Sequence, residues 1–185
     1  MIFTKTTIEG VLIIDRNKFE DDRGWFTRVY CKNEFLNAGV ELEFVQLNHS
    51  FTKYKGTLRG MHFQRPPFGE DKLIKCASGA VYDVAVDLRK NSPTFLEWTA
   101  IELSQEQNNM ILIPKGCAHG FQTLTDNTLL TYHHTQYYNP NYDSGVRYDD
   151  PLLDINWPLK ITEISNKDQS YPLLDRNFKG LENNI

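Results

Sequence analysis

The chain has 185 residues, of which 40% are apolar and 24% charged, and its 20 Lys and Arg against 24 Asp and Glu leave a net charge of −4. This is the make-up of an ordinary soluble domain, and it excludes a basic surface for nucleic acid or anionic membrane as the main partner site. The longest apolar runs, Val11–Ile14 and Met110–Ile113, have four residues, too few for a membrane span or signal-peptide core, and three cysteines are too few for a disulfide framework.

In chain order, Val11–Asp15 and Trp25–Cys31 read as the first strands. A one- or two-turn helix over Asn33–Ala38 follows, stopped by Gly39. Glu43–Ser50, Thr57–Gln64 and Lys72–Cys76 are the next strands, each closed off by turn-forming residues. Gly79–Leu88 is the clearest of all. Tyr82, Val84, Val86 and Leu88 share one face and Asp83 and Asp87 the other, a period of two that no helix has. Leu96–Leu103, Met110–Pro114, Gly120–Leu124 and Thr128–Thr135 complete the strands. Ser104–Gln107 has the form of a capping box, but no apolar stripe follows it, so it reads as a single turn between two strands. From Asn139 to Pro158 the chain is rich in Pro and Asp and reads as an ordered irregular loop pinned by Trp157–Pro158, and the polar tail after Phe178 is expected to fray. About ten short strands in one domain spanning 1–185 predict an all-β sandwich or barrel.

Among the five histidines, His62 lies in Thr57-Leu-Arg-Gly-Met-His-Phe-Gln64 and His119 in Pro114-Lys-Gly-Cys-Ala-His-Gly-Phe121. The second segment resembles a cupin motif, which implies a jelly-roll β-barrel. The matching first motif, His62-Phe63-Gln64, lacks its second histidine, and Glu70 follows a Pro-rich turn, so the two-His-one-carboxylate set of a metal site is incomplete. No metal is expected, and His62 is then free to act as a base.

A sharper resemblance spans about Gly10 to Leu174. It rests on Phe19-Glu-Asp-Asp-Arg-Gly-Trp-Phe26, Phe44-Val-Gln-Leu-Asn-His-Ser50, Leu58-Arg-Gly-Met-His-Phe-Gln64, Val81-Tyr-Asp-Val-Ala-Val-Asp87, Ala118-His-Gly-Phe121, Tyr137-Tyr-Asn-Pro140 and Ser165-Asn-Lys-Asp168, in that order and spacing. With these segments the chain is similar to the dTDP-4-dehydrorhamnose 3,5-epimerases and their relatives acting on nucleotide-linked keto sugars. The resemblance implies a cupin-type jelly roll with short peripheral helices and a cytoplasmic homodimer. It further implies that N-terminal strands are exchanged between subunits, that residues 139–185 pack on the barrel, and that no cofactor is used. The alternatives are a 3-epimerase, a 3,4-ketoisomerase, a metal-dependent cupin enzyme and a non-catalytic sugar-binding module.

Inverting a sugar carbon beside a ketone needs a base, a cation or donor at the enolate oxygen, and an acid on the other face. The resemblance makes His62 the base, Asp168 its orienting carboxylate, Lys72 the enolate stabiliser and Tyr132 the acid. It gives Arg59 and His119 to the diphosphate or keto group, and Phe19, Arg23, Gln46, Asn48 and Tyr138 to the nucleotide and sugar. Taken singly, Lys72 reads as a solvated strand-end lysine, Asp168 as a cap, Arg59 as a surface residue and Tyr132 as a sheet residue. Strict alternation sets Arg59 and His62 on opposite faces, so both can line one pocket only if the strand bulges at Gly60. Arg28, Glu70–Asp71 and His133–His134 depart from the family pattern, which leaves the nucleotide, the sugar and single versus double epimerisation open.

Overall fold

The computed structural model describes residues 1–182. Its strands are β1 (Ile2–Lys5), β2 (Leu12–Asp15), β3 (Lys18–Asp21), β4 (Gly24–Thr27), β5 (Gln46–Thr52), β6 (Thr57–Gln64), β7 (Lys72–Ser78), β8 (Ala80–Asp87), β9 (Trp98–Ser104), β10 (Asn109–Ile113), β11 (Cys117–Thr123), β12 (Thr128–His134), β13 (Asp143–Gly145) and β14 (Glu163–Ile164). Two short helices, α1 (Lys32–Asn37) and α2 (Asn166–Ser170), are added to them. One sheet runs β1-β2-β10-β7-β12-β5, the other β13-β6-β11-β8-β9 with β14 beside β6, and β3–β4 stands apart as a hairpin. The fold is the expected all-β, cupin-type jelly roll.

Three apolar layers follow from strand alternation. Ile74, Ile111, Ile113 and Leu130 from the first sheet meet Val81, Ala85, Leu103 and Phe121 from the second in the barrel interior. The alternate residues Leu73, Met110 and Leu112 face outward and are covered by Phe35 of α1 with Val29, Tyr30 and Phe44. Burying Phe35 completely contributes about 2 kcal/mol to holding this short helix in place. On the second sheet, Val84, Val86 and Leu88 face outward under Trp157, Leu174 and Phe178. The apolar face of the clearest strand thus meets the C-terminal cover. Its other face, with Asp83 and Asp87, points into the barrel, and both aspartates are fully buried.

Three sequence expectations need correction. Trp25–Cys31 is not one strand: β4 ends at Thr27, and Val29 and Tyr30 leave it to pack with Phe35 and Phe44. The segment Glu43–Ser50 enters its strand only at Gln46, because Phe44 turns into the same outer cluster. The tail does not fray directly after Phe178. Leu181 bridges Arg89 and donates its N–H to the Leu88 carbonyl at 2.6 Å; residues 183–185 lie outside the described ones. The turn at Ser104 is as expected, with its hydroxyl accepting the Gln107 N–H at 3.0 Å.

Asp87 ends β8 and organises the turn into β9. Its carboxylate accepts from Arg89 Nε at 2.9 Å, Ser92 Oγ at 2.5 Å and Thr94 Oγ1 at 2.8 Å. Burial pushes this carboxyl up, but the donors outweigh it and hold it at about 2, against an ordinary value of 3.8. A carboxylate depressed on folding stabilises the fold above its unfolded pKa and loses that contribution as pH falls through the folded one. Acid unfolding followed by circular dichroism should therefore show the wild type losing about 2 kcal/mol between roughly pH 4 and 2 from this group. Asp87→Asn, already less stable at neutral pH, should show a shallower loss over that window.

Candidate active site

The interior face of the first sheet changes character along its strands. Cross-strand register places Cys76, Leu130 and Ser50 in one row, Ile74, Tyr132 and Asn48 in the next, and Lys72, His134 and Gln46 in the last. Apolar packing thus gives way stepwise to polar groups. The facing sheet contributes His62 paired with His119 and Arg59 paired with Phe121.

Between those two pairs, two residues of β6, Gly60 and Met61, oppose one of β11, Gly120, so β6 carries a bulge there. The bulge removes the parity conflict between Arg59 and His62, and both line one cavity of ≈ 270 Å³ together with Asn48, Lys72, His119 and Tyr132. Gly60 is required there. Its φ is +131°, and a Cβ would lie 2.5 Å from Gly120 Cα and 3.0 Å from the His119 carbonyl oxygen.

The free edge of β6 is covered from both ends by the C-terminal segment. β13 pairs with His62–Gln64, and β14 runs parallel to Thr57–Leu58. Helix α2 follows β14 directly, with Ser165 as its N-cap accepting the Asp168 N–H at 3.0 Å. Asp168 is therefore a first-turn helix residue, as its capping-box spacing suggests, but its carboxylate leaves the helix. One oxygen lies 2.8 Å from His62 Nε2, and the other accepts the Gly60 N–H at 3.2 Å. Burial pushes the Asp168 carboxyl up, yet His62 and the Gly60 N–H outweigh it and hold it below its ordinary value, so it remains a carboxylate. His62 keeps 35% of its side chain exposed to the cavity.

Lys72 is buried rather than solvated: its side chain is 9% exposed, with Nζ 3.2 Å from Glu70 Oε1 and 3.3 Å from the His62 carbonyl oxygen to which it donates. Arg59 is tied across to β5, its Nε donating to Thr52 Oγ1 at 3.1 Å and its Nη2 to the Phe51 carbonyl at 3.2 Å. His119 Nε2 lies 2.9 Å from Asp83 Oδ2, and the other Asp83 oxygen is buried with no hydrogen-bond partner among the described residues. Burial holds the His119 imidazole below its usual value despite Asp83, and burial raises Asp83. The phenol of Tyr132 is pushed far up, chiefly by burial, so it stays a protonated donor across the neutral range. Its ring lies between His119 and His134, with centroids 6.0 Å from each.

The remaining sequence candidates stand outside this cavity. Tyr138 donates its N–H to Gln46 Oε1 at 3.2 Å and its hydroxyl to Asp143 at 3.2 Å. Phe19 and Arg23 sit on the β3–β4 hairpin; Phe19 is 63% exposed, and the Arg23 guanidinium is spent on Asp21 at 2.6 Å. Arg28 pairs with Glu34 at 2.8 Å. Sequence reasoning passed over Ser50 as a lining residue, although it shares the parity of Asn48, and it weighed Glu70 only against a metal site and Asp83 only as a strand residue, because their partners His134 and His119 lie on other strands. His133 and His134 split as alternation requires, His133 against Phe44 and His134 into the cavity. Among the described residues no three or more His, Cys, Asp and Glu side chains are grouped as metal ligands would be, and no helix is long and apolar enough to cross a membrane.

The chain resembles known proteins over most of its length. The family model described as dTDP-4-dehydrorhamnose 3,5-epimerase matches residues 5–176. The dTDP-4-dehydrorhamnose 3,5-epimerase of Methanothermobacter thermautotrophicus is 43% identical over 178 residues, covering 95% of each chain. A crystal structure of the Bacillus anthracis enzyme of that name, with TDP and PPi bound, superposes with a TM-score of 0.91 at 43% identity, covering 94% of this chain and 99% of the other. The Legionella pneumophila epimerase in complex with dTDP-4-keto-L-rhamnose gives 0.88 at 37% identity, covering 93% and 92%.

Proposed function

From the premise that this chain belongs to the dTDP-4-dehydrorhamnose 3,5-epimerase family, a family of isomerases, we propose that it epimerises dTDP-4-dehydro-6-deoxyglucose at C3 and C5, giving dTDP-4-dehydrorhamnose. The observation that carries this reading is the His62–Asp168 pair at 2.8 Å in a cavity that also holds Lys72 and Tyr132.

His62 takes the proton from the carbon beside the C4 ketone. The C–H electron pair moves into the ring as an enolate, with negative charge on the C4 oxygen. Asp168 fixes the tautomer of His62 and stabilises the imidazolium that forms, as a buried carboxylate does in a hydrolase triad. The Lys72 ammonium meets the enolate oxygen. Tyr132, kept protonated by burial, returns a proton from the opposite face, and the carbon is inverted. Arg59 and His119 hold the substrate's polar groups. No redox step enters, because one C–H bond breaks and one forms at the same carbon.

A cavity of ≈ 270 Å³ suits a sugar ring better than an entire nucleotide sugar. The nucleotide then lies outside it, near Gln46, Asn48 and Tyr138, and a second copy of the chain supplies Phe19 and Arg23. Two features support this homodimer. Phe19, Trp25 and Phe26 are exposed on the hairpin, and β5, an edge strand, exposes Leu47 and Phe51. Cysteines 31, 76 and 117 are all free thiols, which suits a cytoplasmic enzyme.

The test is a panel of thymidine- and guanosine-linked 4-keto-6-deoxy sugars incubated with the protein in deuterated water. Deuterium should enter C3 and C5 of the thymidine-linked sugar; exchange at C3 alone would make the enzyme a 3-epimerase, carbonyl migration a ketoisomerase. No exchange on any of them would sink the proposal. Light scattering at the assay concentration checks the dimer.

A further inference from the structure

Glu70 and His134 have no part in the chemistry assigned above, yet His134 lines the cavity and Glu70 packs against it and Lys72, their side chains 10% and 9% exposed. Strand register sets His134 directly opposite Lys72, so both project into the barrel. The Glu70 carboxylate lies between them. Oε1 is 3.2 Å from Lys72 Nζ, while Oε2 is 3.0 Å from His134 Nδ1 and accepts from Gln64 Nε2 at 3.3 Å. The second ring nitrogen of His134 is 3.3 Å from Asn48 Nδ2. The contacts therefore run unbroken from Asn48 through His134 and Glu70 to Lys72, and from Lys72 to the His62 carbonyl.

A lysine ammonium is a point charge on a flexible four-carbon stem, with three N–H bonds to direct. Here one goes to Glu70 and one to the His62 carbonyl, which leaves the third for a ligand. That orientation holds only if the carboxylate is itself held. Burial pushes the Glu70 carboxyl up, but His134 and Lys72 outweigh it, so it stays ionised. The Asn48 amide can donate to a ring nitrogen only if that nitrogen is unprotonated, which leaves the His134 proton on Nδ1, facing Glu70.

We propose that Glu70 and His134 are positioning residues for the epimerisation: His134 fixes the Glu70 carboxylate, and Glu70 aims the Lys72 ammonium at the developing enolate oxygen. The proposal rests on the assignment of Lys72 to that oxygen. Because the enolate charge exists only at the transition state, loosening this clamp lowers kcat and leaves KM nearly unchanged.

The experiment is a mutant cycle read by solvent-deuterium exchange, which detects slow turnover. His134→Ala should lower kcat about tenfold with KM within about twofold. His134→Gln, whose amide N–H can replace the imidazole donor to Glu70, should recover most of the loss. In a Lys72→Met background, His134→Ala should cost nothing further, since coupled residues are not additive. Should His134→Ala fail to fold, Glu70→Gln carries the same cycle, with the same loss and the same non-additivity expected. The positioning role is overturned by an unchanged kcat, by a change in KM alone, or by equal losses in the wild-type and Lys72→Met backgrounds. A Lys72→Met enzyme as active as the wild type removes the enolate assignment itself, and the positioning role with it.

Discussion

His62→Ala should lose turnover by at least about a thousandfold while nucleotide binding stays within about tenfold. A general base acts in the transition state, so its removal falls on kcat. On the proposed reading the nucleotide is held by other groups, on the rim and on the hairpin, so its binding does not depend on His62. The fold should tolerate the change: the His62 side chain is 35% exposed, and among the described residues its ring hydrogen-bonds only Asp168. Asp168 would keep the Gly60 N–H as a partner. The measurement is single-turnover exchange at C3 beside dTDP binding by calorimetry. An enzyme that still turns over at near wild-type rate would refute the base assignment.

Gly60→Ala should be severely damaging for a single methyl, costing about 3 kcal/mol or more and taking activity with it. The added Cβ meets Gly120 Cα at 2.5 Å and the His119 carbonyl at 3.0 Å, and both obstacles are backbone, which no side-chain rotation relieves. The residue also holds φ +131°, where an L side chain is strained whatever the space. Relief requires β6 to move away from β11. That would separate His62 from His119, its cross-strand partner, and draw the Gly60 N–H off Asp168. Urea unfolding should show the loss in stability. Gly24→Ala, at φ +128° but with nothing within 4 Å of its Cβ, separates the backbone conformation from the collision, and it should cost far less. Equal losses at the two positions would show that the close approach to Gly120 is not what matters.

Much of the site was legible in strand parity. Asn48 on β5 and Tyr132 and His134 on β12 fall on one face because alternate side chains do, and the structure sets Asn48 opposite Tyr132. The Gly60 bulge could be inferred as a requirement, since Arg59 and His62 otherwise diverge. Asp168 was legible as a member of a capping box, and by position it is the first-turn residue whose N–H Ser165 caps. What its side chain does is a separate matter, because its partner lies 106 residues earlier in the chain. Lys72 reads as a solvated strand end from its neighbours in sequence, and it is buried because Glu70 and the His62 carbonyl close around it.

The sequence by itself determined the all-β class, the central strands from β5 to β12 and which residues alternate together, because alternation is a property of each strand's own backbone, whereas β1, β3, β13 and β14 went unread. Its short apolar runs also leave no segment long enough for a membrane-spanning helix. Only the tertiary structure decided which face of Gly79–Leu88 points inward. Both faces of that strand are buried, one under the C-terminal segment and one in the barrel, and alternation cannot distinguish two covers. It also decided the pairings of His62 with Asp168, His119 with Asp83 and Glu70 with His134. Each joins groups far apart in sequence, and a buried charged or polar group is held there only when the fold brings it a partner.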